Sequence, residues 1–107
     1  MKFPGGLNIQ GMMKQAQQMQ EKMAREMEEM RVEASAGGGM VTVKANGAGE
    51  LLEIAIDPRA IDPDDPELLA DMVLAAANEA LRAATQAVET KLRGQMPDLG
   101  ALGLPGM

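Results

Sequence analysis

A chain of 107 residues with ten basic and sixteen acidic side chains carries a formal charge of -6, so its average electrostatics argue against nucleic acid as a partner. It contains no Cys, His, Tyr or Trp and a single Phe, which excludes disulfides, thiolate or imidazole metal sites and the Ser–His or Cys–His pairs of nucleophilic catalysis. Hydrophobic residues make up 46%, many of them Ala and Met, so one domain with a thin core is expected and burial between subunits is a natural supplement.

Residues 1–11 contain Pro4, Gly5, Gly6 and Gly11 and read as a flexible N-terminus, with Asn8 placed to cap the first helix. No apolar run comes after Lys2, so no secretory signal is visible. The first helix is expected from Met12, because Met, Gln, Glu, Lys and Ala dominate and Gly and Pro are absent. Met12, Ala16, Met19, Met23, Met27 and Met30 form one apolar stripe at helical spacing. Part of the stripe fits a heptad, and Glu26 breaks it where Met27 takes over. Glu21–Arg25, Lys22–Glu26 and Glu28–Arg31 are spaced for ion pairs along the helix. Helical composition runs on to Ala34, but weak alternation favours a strand from about Val32.

Gly37-Gly38-Gly39 then allows a turn at positive φ. Val41, Val43 and Ala45 alternate with Thr42 and Lys44. Asn46-Gly47 signals a hairpin turn that Ala48-Gly49 extends. Leu52, Ile54 and Ile56 fall on one face of a third strand, opposite Glu53. Three strands in this order make an antiparallel meander with one apolar face. Three prolines punctuate the loop Asp57–Pro66. A second helix starts there with Asp65 as N-cap, Pro66 at its first position and Glu67 in its first turn. It is expected to reach Arg93, with Gly94 just past its end. Its Ala-rich broad apolar side is expected to pack on the sheet. Residues 95–107 are punctuated by Gly and Pro and read as a flexible tail.

The fold class is therefore α+β: an α-β-β-β-α subunit with a meander flanked by two long helices, in a single domain over residues 12–94. Helices of about 20 and 28 residues span roughly 30 and 42 Å, against a radius of gyration of about 13 Å for a compact domain of this size. Both should overrun the sheet and project as an arm in which each covers the other. The start of the first helix and the end of the second then share one distal tip.

Charge sharpens this picture. Residues 1–25 carry a net +3, residues 26–79 a net -10 and residues 80–94 a net +2. Lys14 and Arg25, and likewise Arg82 and Arg93, are eleven residues apart, about 20° on a helical wheel. Lys14, Lys22, Arg25, Arg82, Lys91 and Arg93 are the candidate phosphate-contacting residues. The plain alternative is a solvated face with local ion pairs such as Arg93–Glu89. The Met stripe reads first as core or as a seam between copies, and next as an adaptable groove for a protein partner. Acidity in the second half of the first helix and the lack of an aromatic anchor argue against a membrane surface. The longest uncharged run in the helical segments, Met72–Asn78, is too short to span a bilayer. The acidic residues Asp57, Asp62, Asp64, Asp65 and Glu67 read as a helix start and solvated loop rather than a cation site. The glycine triplet lacks the Lys-Ser/Thr and helix of a phosphate loop. No enzyme activity, cofactor or metal is expected, and the expected setting is soluble and cytoplasmic.

Three blocks carry a resemblance. They are MMKQAQQMQEKM (Met12–Met23), AGGGMVTVKANGAGELLEIAIDP (Ala36–Pro58) and DPELLADMVLAAANEAL (Asp65–Leu81). In this order and spacing, across about Gly5–Leu92, the chain resembles the YbaB/EbfC family of bacterial nucleoid-associated proteins. The resemblance implies a tweezer-like homodimer with projecting helices. It implies association with the nucleoid and binding of double-stranded DNA with little sequence specificity, either organising DNA or modulating expression. Recombination or replication proteins are candidate further partners. Family helical arms would meet DNA, which points to the six basic residues by charge and geometry. The alternative from another class is a dimeric adaptor that holds a protein between Met-lined arms.

Overall fold

In a computed structural model that describes residues 8–95, the order is α1 (Ile9–Glu29), β1 (Val32–Ala36), β2 (Val41–Ala45), β3 (Leu51–Ile56), a 3-10 turn at Pro58–Ala60, and α2 (Pro66–Gln95). The expected α-β-β-β-α arrangement is the observed one. The strands form one antiparallel sheet in the order β1-β2-β3. Residues 1–7 and 96–107, expected to be flexible, lie outside the described residues.

Local chemistry explains most boundaries. The Gly11 N–H donates to Asn8 Oδ1 at 3.2 Å, so α1 starts at Ile9, three residues before the expected Met12. Gly11 is tolerated because it falls in the first turn. The helix ends at Glu29. Met30 turns to an extended backbone, and the Arg31 guanidinium donates to the carbonyls of Glu28 and Met30 at 2.6 and 2.9 Å. Arg31 therefore serves the helix end and not the expected pair with Glu28. At the other helix, the Leu68 N–H donates to Asp65 Oδ1 at 3.3 Å, as the N-cap reading requires. α2 continues through Gly94 to Gln95, because Gly94 stays helical and does not stop it. The 3-10 turn is capped by Asp57. The Arg59 guanidinium, and then the Arg59 N–H, hold the Asp57 carboxyl below the usual range.

Sheet and α2 make the core. Val41, Val43 and Ala45 of β2 are fully buried against Ala76 and Ala80 of α2, flanked by Val32, Ala34 and Ala36 of β1 and by Leu69, Met72 and Val73. Alanines at spacing four let the helix axis come close to the strand backbones. The opposite sheet face is polar: Ser35 and Thr42 hydroxyls pair at 3.2 Å, and Lys44 meets Glu53 at 3.3 Å. All three glycines of the β1–β2 turn take positive φ.

The β2–β3 turn is built differently from the expected Asn-Gly hairpin. The left-handed residue is Gly49, with φ of 82°. Asn46, 3% exposed, supplies the scaffold: its Oδ1 accepts the Ala48 and Glu50 N–H groups, each at 3.0 Å, and its Nδ2 donates to Glu50 Oε1 at 2.9 Å. Gly47 is needed for space. A Cβ there would meet Met30 Sδ at 2.8 Å, the Met27 carbonyl at 3.0 Å and Val88 Cγ2 at 3.0 Å. Beside it, a bulge interrupts the ladder after the Lys44↔Glu53 pair, so Ala45 pairs with Leu51 and Leu52 has no opposite residue.

Replacing Asn46 with Ala removes the acceptor of two N–H groups in a part-buried turn. It should lower unfolding free energy by about 1–3 kcal/mol, read as a reduced urea midpoint with little change in slope.

Candidate nucleic-acid interface

α1 is an arm. It has no buried residue, and its contacts with the body lie at its C-terminal end. There the Gly47 N–H donates to the Met27 carbonyl at 2.8 Å, and Lys91 Nζ of α2 meets Glu26 Oε2 at 3.5 Å. The molecule is correspondingly long, 75 × 34 × 16 Å with a radius of gyration of 21.4 Å. The expectation that the two helices cover each other fails. α2 runs only four residues past Lys91, about 6 Å, whereas α1 runs seventeen residues back from Glu26 to Ile9, about 25 Å. The shared distal tip fails for the same reason, and most of the arm is α1 alone. Its stripe is open: Met12, Met13 and Met19 are 54%, 63% and 61% exposed.

The six basic residues therefore do not form one patch. Lys14, Lys22 and Arg25 are exposed along α1. They fall within about 80° on the helical wheel and have no ion-pair partner among the described residues. The expected pairs Glu21–Arg25 and Lys22–Glu26 are absent. Lys91 and Arg93 sit at the base of the arm, Lys91 half-buried against Glu26 and Arg93 4.0 Å from Glu89. Arg82 lies nine residues before Lys91, about 14 Å back along α2, over the body, where Glu79 binds it at 2.9 Å. Periodicity aligned Arg82 with Arg93 on the helix surface, but it said nothing of where the body ends.

A second surface is apolar. Leu51, Leu52, Ile54 and Ile56 of β3 and Ile61 after it are exposed, although Ile54 and Ile56 pair with the buried Val43 and Val41. Strands lie about 4.8 Å apart and a helix is about 10 Å across, so an Ala-faced helix centred on β1 and β2 leaves β3 uncovered. Among the described residues no group of three His, Cys, Asp or Glu is placed to hold a metal ion, and no helix is long and apolar enough to cross a membrane.

The model of the YbaB/EbfC DNA-binding family matches residues 5–99. A nucleoid-associated protein of Clostridium novyi is 49% identical over 98% of this chain and 95% of its own length. One from Thermoanaerobacter pseudethanolicus is 50% identical with the same coverage. One from Saccharopolyspora erythraea is 46% identical over 97% of this chain and 98% of its own. The crystal structure of an uncharacterized protein from Helicobacter pylori matches the fold with a TM-score of 0.68 at 20% identity, covering 85% of this chain and 99% of that one.

The unequal anchoring of the helices predicts unequal amide exchange. Amides of residues 12–20 should exchange at least a hundredfold faster than those of residues 76–84, measured by hydrogen–deuterium exchange mass spectrometry on the full chain.

Proposed function

The chain belongs to the YbaB/EbfC DNA-binding family, and from that premise we propose that it is a nucleoid-associated homodimer that touches DNA phosphates with its α1 arms. The observation that carries this reading is the row of exposed cations on α1, Lys14, Lys22 and Arg25, which have no ion-pair partner among the described residues and run outward from the base of the arm. An acidic protein can bind a polyanion if its cations protrude by more than the distance over which salt screens its carboxylates, about 8 Å at physiological ionic strength. Lys14 stands about 20 Å along the arm from its Met27 anchor, well beyond that distance, Lys22 about 8 Å from it, and Arg25 at the base.

Contacts of this kind position a protein without reading bases. Lys and Arg on one helix face meet the backbone, and among the described residues no recognition helix is set in a turn beside them, which favours low sequence specificity. Arg93 and Lys91 extend the contact to the base of the arm, and Arg82 stands apart from it. Pairing through the uncovered β3 face gives two arms per particle, able to grip or bridge duplex DNA. Five large apolar side chains, Leu51, Leu52, Ile54, Ile56 and Ile61, stand exposed there, and a run of this kind marks an interaction surface. Organising DNA, modulating expression and a place in the cytoplasmic nucleoid belong to the same reading, and recombination or replication proteins remain further candidate partners. The exposed Met12, Met13 and Met19 favour a second reading, an adaptor that holds a protein along its arms.

A mobility-shift titration with long duplex separates the two. The wild type should bind in low salt with an affinity that falls steeply as salt rises, and Lys22→Ala should reduce the slope of log K against log salt by about one. Lys14→Glu, Lys22→Glu and Arg25→Glu together should abolish the shift, whereas Arg82→Glu should change it less than twofold. No shift by the wild type, or a shift indifferent to the triple reversal, overturns the DNA reading.

Sedimentation tests the pairing. Ile54→Asp with Ile56→Asp should convert a micromolar dimer to a folded monomer, and a wild type that sediments as a monomer overturns it.

A further inference from the structure

We propose that Glu26 and Lys91 form an electrostatic clasp that sets the angle of the α1 arm, and that a DNA phosphate taken by Lys91 releases it. The second half rests on the DNA-binding reading above, and the first does not.

Glu26 lies seven residues after Met19 and fourteen after Met12, so it occupies a seam position where the stripe calls for an apolar side chain. The structure places that position against α2, facing Lys91 across 3.5 Å. Among the described residues this is the one ion pair between α1 and the rest of the protein. The remaining fastening is the Met27–Gly47 hydrogen bond with Met30 and Val88 around it, all at one end of a 21-residue lever. A Met at 26 would fasten the lever by burial, which salt does not weaken. A carboxylate fastens it by charge, which salt and competing anions do weaken.

Both partners are only partly buried, with side-chain exposures of 34% for Lys91 and 27% for Glu26, so a phosphate can reach the ammonium from the open side. Lys91 has three donors and is a compact point charge, well suited to exchange a carboxylate for a phosphate. Glu26 then has a cation waiting one turn away, since Lys22 lies at i-4 on the same face. The carboxylate thus has two alternatives, and the structure shows it on α2. Holding the arm by Lys91 keeps it at one angle in the free protein. Giving Lys91 to the backbone lets the arm swing to follow the duplex.

The chain has no cysteine, so spin labels at Gln17→Cys and Asp71→Cys report the arm-to-body distance by pulsed dipolar spectroscopy. Labelled full-length protein is diluted into unlabelled protein so that distances within one subunit dominate. Without DNA in low salt, the labelled protein should give one narrow distribution and Glu26→Gln one at least twice as wide. The exchange Glu26→Lys with Lys91→Glu should restore the narrow one. An unchanged width for Glu26→Gln, or an exchange that fails to restore it, overturns the clasp. With a duplex added, the wild-type distribution should broaden or shift while the exchange variant stays narrow. Anisotropy on the same samples should show Glu26→Gln binding about 2- to 5-fold tighter in low salt, the scale of one partly exposed ion pair. Binding with no change in the wild-type distribution overturns the release. Absence of binding by the wild type overturns the DNA reading and the release with it, while the samples without DNA still decide the clasp.

Discussion

The architecture depends on the β2–β3 turn, where a buried amide and a missing side chain act together. Asn46 gathers the turn's N–H groups onto one oxygen and ties its own amide to Glu50, so the loop has a fixed shape although it is tucked against two helices. Gly47 then offers a flat backbone on which Met27, Met30 and Val88 converge. The Gly47 N–H closes at 2.8 Å on the Met27 carbonyl, which at the helix end has only a longer 3.3 Å bond from the Met30 N–H. This bond ties the β2–β3 turn to the arm. A side chain at 47 would push α1 off its seat, and a loose Asn46 would leave the seat without a shape.

From that seat, the distribution of size along α2 decides the rest of the surface. Its alanines allow a close approach over β1 and β2, which gives a dense core from small residues. The same narrowness leaves the third strand outside. A Leu or Phe in place of these alanines would lift the helix and widen its cover, at the cost of the tight packing on Val41 and Val43. The thin core that the composition foretold is therefore real, and its consequence is an apolar strand left exposed.

Charge is separated by the same lever. Most acidic residues lie on the strands, the proline-rich loop and α2, and Glu26, Glu28 and Glu29 crowd the base of α1, so Lys14 is the cation of the arm that stands farthest from them. The overall charge of -6 is an average over two regions that a phosphate would meet separately. At the border between them stand Glu26 and Lys91, one residue from each sign, facing each other across the joint.

Elements, caps and turns were legible in the chain because each is decided within a short window. Asn8 and Asp65 cap the helices that start beside them, alternation marks Val41–Ala45, and three glycines in a row mark a turn. Even Glu26 stood out, as a carboxylate in a row of methionines. Its partner did not, since Lys22 lay four residues away and Lys91 sixty-five. The basic residues were legible as a set but not as a site. Spacing of eleven aligns Arg82 with Arg93 on a helix, yet only the packing of that helix on β1 and β2 decides that Arg82 lies over the body and Lys14 far from it. The exposure of the Met stripe and of β3 was out of reach for the same physical reason. Periodicity states which face of an element is apolar, and the fold alone states whether anything of the right width and position comes to cover it.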